Sequence, residues 1–183
     1  MGFSRERGVQ KVFRLIGALL IIGVAGWGGL WVASTYSRRP QQLRSFQSAL
    51  QMLDTEIVYG ATPLPVALKK VGQAVEPAVG VVFQKAGKLL EKSCGYTAGE
   101  AWNKALGDQA GRTVLRSGDL MILKTFGEVL GASDRSEQHK NIVLTIHYLQ
   151  KAESEAEKEK EKNGKLWRYG GFLIGISMVL LLL

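Results

Sequence analysis

Cys94 is the single cysteine among 183 residues, so the chain can build neither an intrachain disulfide framework nor a thiol-based metal site. Histidine is nearly as scarce. His139 and His147 stand eight positions apart, about 12 Å along a helix axis, which is too far for one metal ion. A glycine-rich phosphate loop ending in Lys-Ser or Lys-Thr is missing, and with it the amides and lysine that a P-loop ATPase needs to neutralise phosphates. Asp54 and Glu56 are two positions apart and point to different faces of a helix, so they do not form a carboxylate pair. No segment alternates apolar and polar residues between turn signals, which leaves a β-sheet without support. The net charge of +8 would suit a nucleic-acid binder, but the middle of the chain lacks a basic stripe with interleaved aromatics, and Lys69-Lys70 is only a pair. No enzyme, cofactor, metal, small-molecule substrate or nucleic-acid partner is therefore expected.

What the chain does have is two apolar ends. From Leu15 to Thr35 no side chain ionises, and about 21 residues at 1.5 Å each give roughly 32 Å of helix, matching a hydrocarbon core of about 30 Å. Residues 15–35 are expected to form a transmembrane helix, with Trp27, Trp31 and Tyr36 as interfacial anchors and residues 1–14 as a basic tail. The competing reading is a cleaved signal peptide with Val32-Ala33-Ser34 at the cleavage site. Residues 166–183 are expected to form a second span, with Arg168 snorkelling outward. The alternative there is a terminal core helix, yet Met178 to Leu183 offers water no polar face. Gly171 and Gly175 make a small-xxx-small pair that lets another helix approach closely. Basic residues crowd the membrane edges. Arg38, Arg39, Arg44, Lys158, Lys160, Lys162, Lys165 and Arg168 on the middle side outnumber Arg5, Arg7, Lys11 and Arg14 in the tail, which favours a cytoplasmic middle.

The middle, residues 38–165, reads as one all-α domain, a compact bundle of about six helices. Leu43, Phe46, Leu50, Leu53 and Ile57 lay one stripe along a first helix, which Gly60 ends. Thr62 as cap and Pro63 in the first turn open a second, buried through Leu64, Ala67, Leu68 and Val71. Pro77 opens a third, running through Leu90 to a break at Cys94-Gly95. Thr97 and Glu100 form a capping box for a fourth, followed by a turn from Gly107 to Gly111. Asp119 is expected to cap a fifth helix bearing Leu120, Leu123, Phe126 and Leu130, with Gly131 ending it in a left-handed conformation. Asp134 and Glu137 start a long sixth helix whose stripe of Ile142, Ile146, Leu149 and Ala152 continues into the charged run Glu153 to Lys162, read as a solvated face bridging to the membrane.

Three segments, Arg38-Arg39-Pro40-Gln41-Gln42-Leu43, Thr62-Pro63-Leu64-Pro65 and Phe126 to Gln138, occur in an order and spacing that resembles the stage III sporulation protein AB family, from about Phe13 to Leu183. That family is similar in its soluble part to the cytoplasmic domain of the type II secretion inner-membrane platform protein. The resemblance implies a membrane scaffold in the channel-like assembly between mother cell and forespore, integral to the outer forespore membrane with its helical domain in the mother-cell cytoplasm. It also implies the ATPase stage III sporulation protein AA and other stage III membrane proteins as partners, besides membrane lipids. A membrane-tethered adaptor unrelated to transport is the alternative. No catalytic residue is carried over. Phe126 and Leu130 read as core, Gly127 as a close-packing position, Gly131 as a C-cap and Asp134 as an N-cap. Arg135 and Gln138 are the candidate partner contacts. Deleting either apolar end is expected to abolish assembly and spore development; wild-type spore yield from either deletion sinks the two-anchor reading.

Overall fold

The computed structural model describes residues 38–91, 95–132 and 134–182, with side chains through 162. Six α-helices and no strand occur among the described residues: α1 over 38–58, α2 Leu64–Ala74, α3 Pro77–Glu91, α4 Ala98–Gln109, α5 Ser117–Val129 and α6 Arg135–Leu182. The chain divides into a unit of residues Arg38–Glu157 and a second unit of Met1–Ser37 with Lys158–Leu183. Of the second, the described part is the helical continuation of α6. Among the described residues no helix is long and apolar enough to cross a membrane. The expected span over 15–35 lies outside the described residues, as do the side chains of 163–183 and hence any packing at Gly171 and Gly175.

The core of the first unit follows the apolar stripes. Leu43, Phe46, Leu50 and Leu53 of α1, Leu68 of α2, Phe83 of α3, Trp102 of α4, Leu123 and Phe126 of α5, and Ile142 and Leu149 of α6 are all sealed from solvent. A run of aromatic rings threads this core through four helices. Phe46 meets Phe83 at 6.1 Å between centroids, Phe83 meets Trp102 edge-on at 4.9 Å, and Trp102 meets Phe126 edge-on at 5.2 Å. Edge-to-face contacts of this kind contribute about 0.5–1.5 kcal/mol beyond the area they bury. The Trp102 indole N–H, which could not be left dry and unpaired, donates to the Leu123 carbonyl at 2.7 Å.

Consecutive helices cross closely. A Cβ on Gly80 would come within 2.3 Å of the Gly72 carbonyl oxygen, so α2 and α3 touch through backbone where any larger residue would force them apart. At Thr97 the capping box is complete: its hydroxyl accepts the Glu100 amide at 3.2 Å, while the Glu100 carboxylate accepts the Thr97 amide at 2.8 Å. That backbone donor, with the hydroxyl second, holds the Glu100 carboxyl below its ordinary value.

Several helix ends depart from the sequence reading. Thr62 does not cap α2; its hydroxyl turns back and donates to Glu56 Oε2 at 2.8 Å, leaving Pro63 as the residue before the helix. α1 does stop just before Gly60, and the left-handed residue that follows is Ala61, with φ of 46°. α4 continues past Gly107 to Gln109 and tightens into a 3₁₀ turn over Ala110–Arg112, so the turn comes later than glycine suggests. The side chain of Asp119 lies in the first turn of α5 instead of preceding it, and Arg116 takes the cap position. Trp102→Phe is expected to lower the unfolding free energy of the detergent-solubilised chain by about 1–3 kcal/mol, read from urea midpoints, because the smaller ring leaves a buried void and the Leu123 carbonyl loses its second, indole donor.

Candidate interaction surface

Arg39 and Gln42, in the first turn of α1, are used for anchoring. Arg39 lays its guanidinium against Asp119 in a two-pronged contact, Nε to Oδ2 at 2.8 Å and Nη2 to Oδ1 at 2.9 Å, with only 12% and 3% of the two side chains exposed. Asp119 Oδ2 also accepts the Arg116 amide at 2.9 Å, which satisfies one of the otherwise orphaned donors before α5. Three residues along α1, buried Gln42 accepts the Val114 amide at 2.9 Å. The beginning of α1 is thereby bound to the 113–119 stretch at two points. Arg39 was counted among cations at the membrane edge; the structure places it in a buried ion pair instead.

Along its length α1 runs antiparallel to α6. Arg44 pairs with Glu153 and Glu157, Gln47 donates to Glu153 at 2.8 Å, and Asp54 meets His139 Nδ1 at 2.8 Å. The start of the charged run is therefore not purely solvated: Ala152 and Ala156 are buried, and Glu153 and Glu157 hold α1. Asp54 and Glu56 do face apart, since Glu56 pairs with Lys70 of α2. Lys70, with the Thr62 hydroxyl second, keeps the Glu56 carboxyl below its ordinary value, and Lys85 of α3 does the same for Asp108 of α4.

The stretch from Phe126 to Gln138 joins α5 to α6. Phe126 and Leu130 are buried, and a Cβ on Gly127 would come within 2.5 Å of Trp102 Cδ1. Gly131, at φ of 74°, turns the chain where a side chain would meet Ala98 at 2.8 Å. Asp134 Oδ1 accepts the Glu137 amide at 2.9 Å and starts α6. Arg135 is exposed and Gln138 half-buried.

Between α5 and α6 lies a groove of about 510 Å³, floored by Phe126 and walled by Ile122, Val129 and Thr145. Met121, Leu144 and Tyr148 stand along its rim, 62%, 50% and 49% exposed. Sequence reading names the stripes of Leu120, Leu123, Phe126 and Leu130 and of Ile142, Ile146, Leu149 and Ala152 and passes over the apolar residues beside them; the signal is there in Met121 and Leu144, which fall off those stripes. Contiguous apolar rims of this kind mark contact sites. Among the described residues no three His, Cys, Asp or Glu side chains gather as metal ligands.

Residues 14–183 match the family described as Stage III sporulation protein AB. A curated relative of that name from Bacillus subtilis (strain 168) is 35% identical over 172 residues, covering 94% of this chain and all of the relative. A solved structure of Stage III sporulation protein AB (SpoIIIAB) superposes with a TM-score of 0.64 at 34% identity, covering 68% of this chain and 98% of its own.

Removing either member of the Arg39–Asp119 pair strands a buried charge. Arg39→Met and Asp119→Ala are each expected to destabilise by about 3–5 kcal/mol. Combined, they should cost clearly less than their sum, with the coupling read from a double-mutant cycle of urea unfolding.

Proposed function

The chain belongs to the stage III sporulation protein AB family, and from that premise we propose that it is a membrane-anchored scaffold, a platform component of a secretion-like assembly between mother cell and forespore. Its role is in sporulation, and in this reading it acts by contact rather than catalysis. The proposed site of action is the outer forespore membrane, with residues 15–35 and 166–183 as anchors and the helical unit facing the mother-cell cytoplasm. Proposed partners are the ATPase stage III sporulation protein AA, other stage III membrane proteins and the surrounding lipids. Setting aside Arg39 and Arg44, which the fold uses internally, the middle side still carries Arg38, Lys158, Lys160, Lys162, Lys165 and Arg168 against four cations in the tail, so the charge argument for orientation survives.

The observation that carries the reading is the α5–α6 groove. Two helix edges with lining residues three and four apart, Gly118, Met121, Ile122 and Thr125 on one and Asn141, Leu144, Thr145 and Tyr148 on the other, put apolar Met121, Ile122 and Leu144 beside polar groups and suit an amphipathic helix from another subunit. Arg135 and Gln138 lie within the turn of α6 that precedes Asn141, where they can extend such a contact. Holding the unit by anchors at both ends raises its effective concentration beside membrane partners, so weak individual contacts suffice.

Tagged full-length protein solubilised from sporulating cells should copurify with the ATPase and other sporulation membrane proteins. Met121→Asp and Leu144→Asp alter exposed positions and should leave folding intact, yet lower that recovery and the spore yield by about tenfold or more, the scale of a hot-spot loss. Recovery of the chain alone shifts the assignment to an independent membrane adaptor; unchanged recovery from both variants removes the groove from the contact.

A further inference from the structure

The groove between α5 and α6 carries raised and hollow parts on one face. Met121, Leu144 and Tyr148 stand out along its rims, while Phe126 and Thr145 lie buried at its base. A face that holds both a knob and the hollow to receive one can be matched by a copy of itself about a twofold axis, the commonest way that identical chains associate. An unrelated partner would need only the hollow. The charges beside the groove point the same way. Lys124 and Glu128 follow Met121 by three and seven positions on α5, and Lys151 and Glu155 follow Tyr148 by three and seven on α6. All four side chains are exposed, and none takes part in an ion pair among the described residues.

A rim with one cation and one acid on each helix favours neither a strongly acidic nor a strongly basic partner; it suits a partner that carries the same two signs in reach. Within one helix, a lysine four residues before a glutamate is the weaker order for pairing. Laid antiparallel across a twofold axis, two α5 helices bring Lys124 of each copy opposite Glu128 of the other, and both charges gain partners in one step. Size sets the strength. Two helices about 10 Å across, with α5 about 20 Å long, cover roughly 400 Å². That is about half the share each partner gives to a standard stable interface, so the association depends on concentration. We infer that the α5–α6 groove seats a second copy of this chain. α5 of each copy lies antiparallel to α5 of the other, Met121 of each enters the other's groove at its Val129 end, and Lys124 pairs with Glu128 across the axis. This names the occupant of the groove and rests on the reading of that groove as a subunit contact.

The test coexpresses full-length chains with two different affinity tags, solubilises them in mild detergent and captures one tag; the fraction of the other tag recovered reports self-association. Lys124→Glu and Glu128→Lys each set like charges together twice across the axis. Each should recover itself about fivefold less well than the unaltered chain. Lys124→Glu coexpressed with Glu128→Lys should be recovered as well as the unaltered chain, because both cross-axis pairs are then of opposite sign. Neither misfolding of a single variant nor association through the apolar ends can produce that mutual rescue. Met121→Asp should lower recovery by a similar factor. Equal recovery from every variant, or loss in the single variants without rescue in the mixed pair, overturns the second copy as occupant. ATPase recovery that still falls with Met121→Asp then leaves the groove to a different subunit, and unchanged ATPase recovery removes the contact reading as well.

Discussion

Asp119 has only 2% of its surface left to water, and both of its oxygens are occupied, one by Arg39 and the other shared between Arg39 and the Arg116 amide. A carboxylate in that position is tolerable only with its full set of donors, because removing a charge from water costs several kcal/mol before the pair returns any of it. The pair contributes little net stability as a result; what it supplies is position. It fixes where α1 begins relative to α5, and from that placement follow the Gln42 contact with Val114, the angle at which Phe46 reaches Phe83, and the line along which Arg44, Gln47 and Asp54 meet α6. Leucine stripes alone do not set such a register. Hydrophobic contact is indifferent to a slide of a few ångströms, whereas a two-pronged guanidinium–carboxylate contact is not.

Much of the architecture was legible before any coordinates. The three-four spacing of Leu43, Phe46, Leu50 and Leu53, or of Val79, Val82, Phe83 and Ala86, reports a buried helix face directly, and those residues are buried. Thr97 with Glu100 was equally plain, since the two side chains need only each other's backbone to close the cap. The failures share a cause. Thr62, Asp119 and Arg39 have polar groups whose partners lie elsewhere in the fold, 6 positions away for Thr62 and 80 for the ion pair. Local spacing rules assign such groups to the nearest available backbone or to solvent, and long-range partners overrule them. Ala61 is a detail that no spacing rule addresses: the backbone takes its left-handed turn at a residue that disfavours it, one position beyond a glycine.

The candidate interaction surface was less legible than the fold for a related reason. A residue such as Met121 or Leu144 carries no mark that separates a buried partner from an absent one; only the packed bundle reveals which apolar side chains have been left over. Once α5 and α6 are placed, the leftover set forms a groove, and the polar residues that might have suggested chemistry turn out to be structural: Asp134 starts a helix, His139 and Asp54 join α6 to α1, and Gln42 secures a loop amide.

The order of packing along the chain also has a temporal side. α3, α4 and α5 each rest on the helix made just before, so their contacts close short loops and form rapidly. α1 differs: its ties to α6 join residues 85, 109 and 113 positions apart. On the ribosome, at roughly 5–20 residues per second, α1 waits several seconds or more for α6 to be made. Throughout that interval the face of α1 that α6 will cover has no permanent partner. Birth of the domain thus ends, rather than begins, with the helix that was synthesised first.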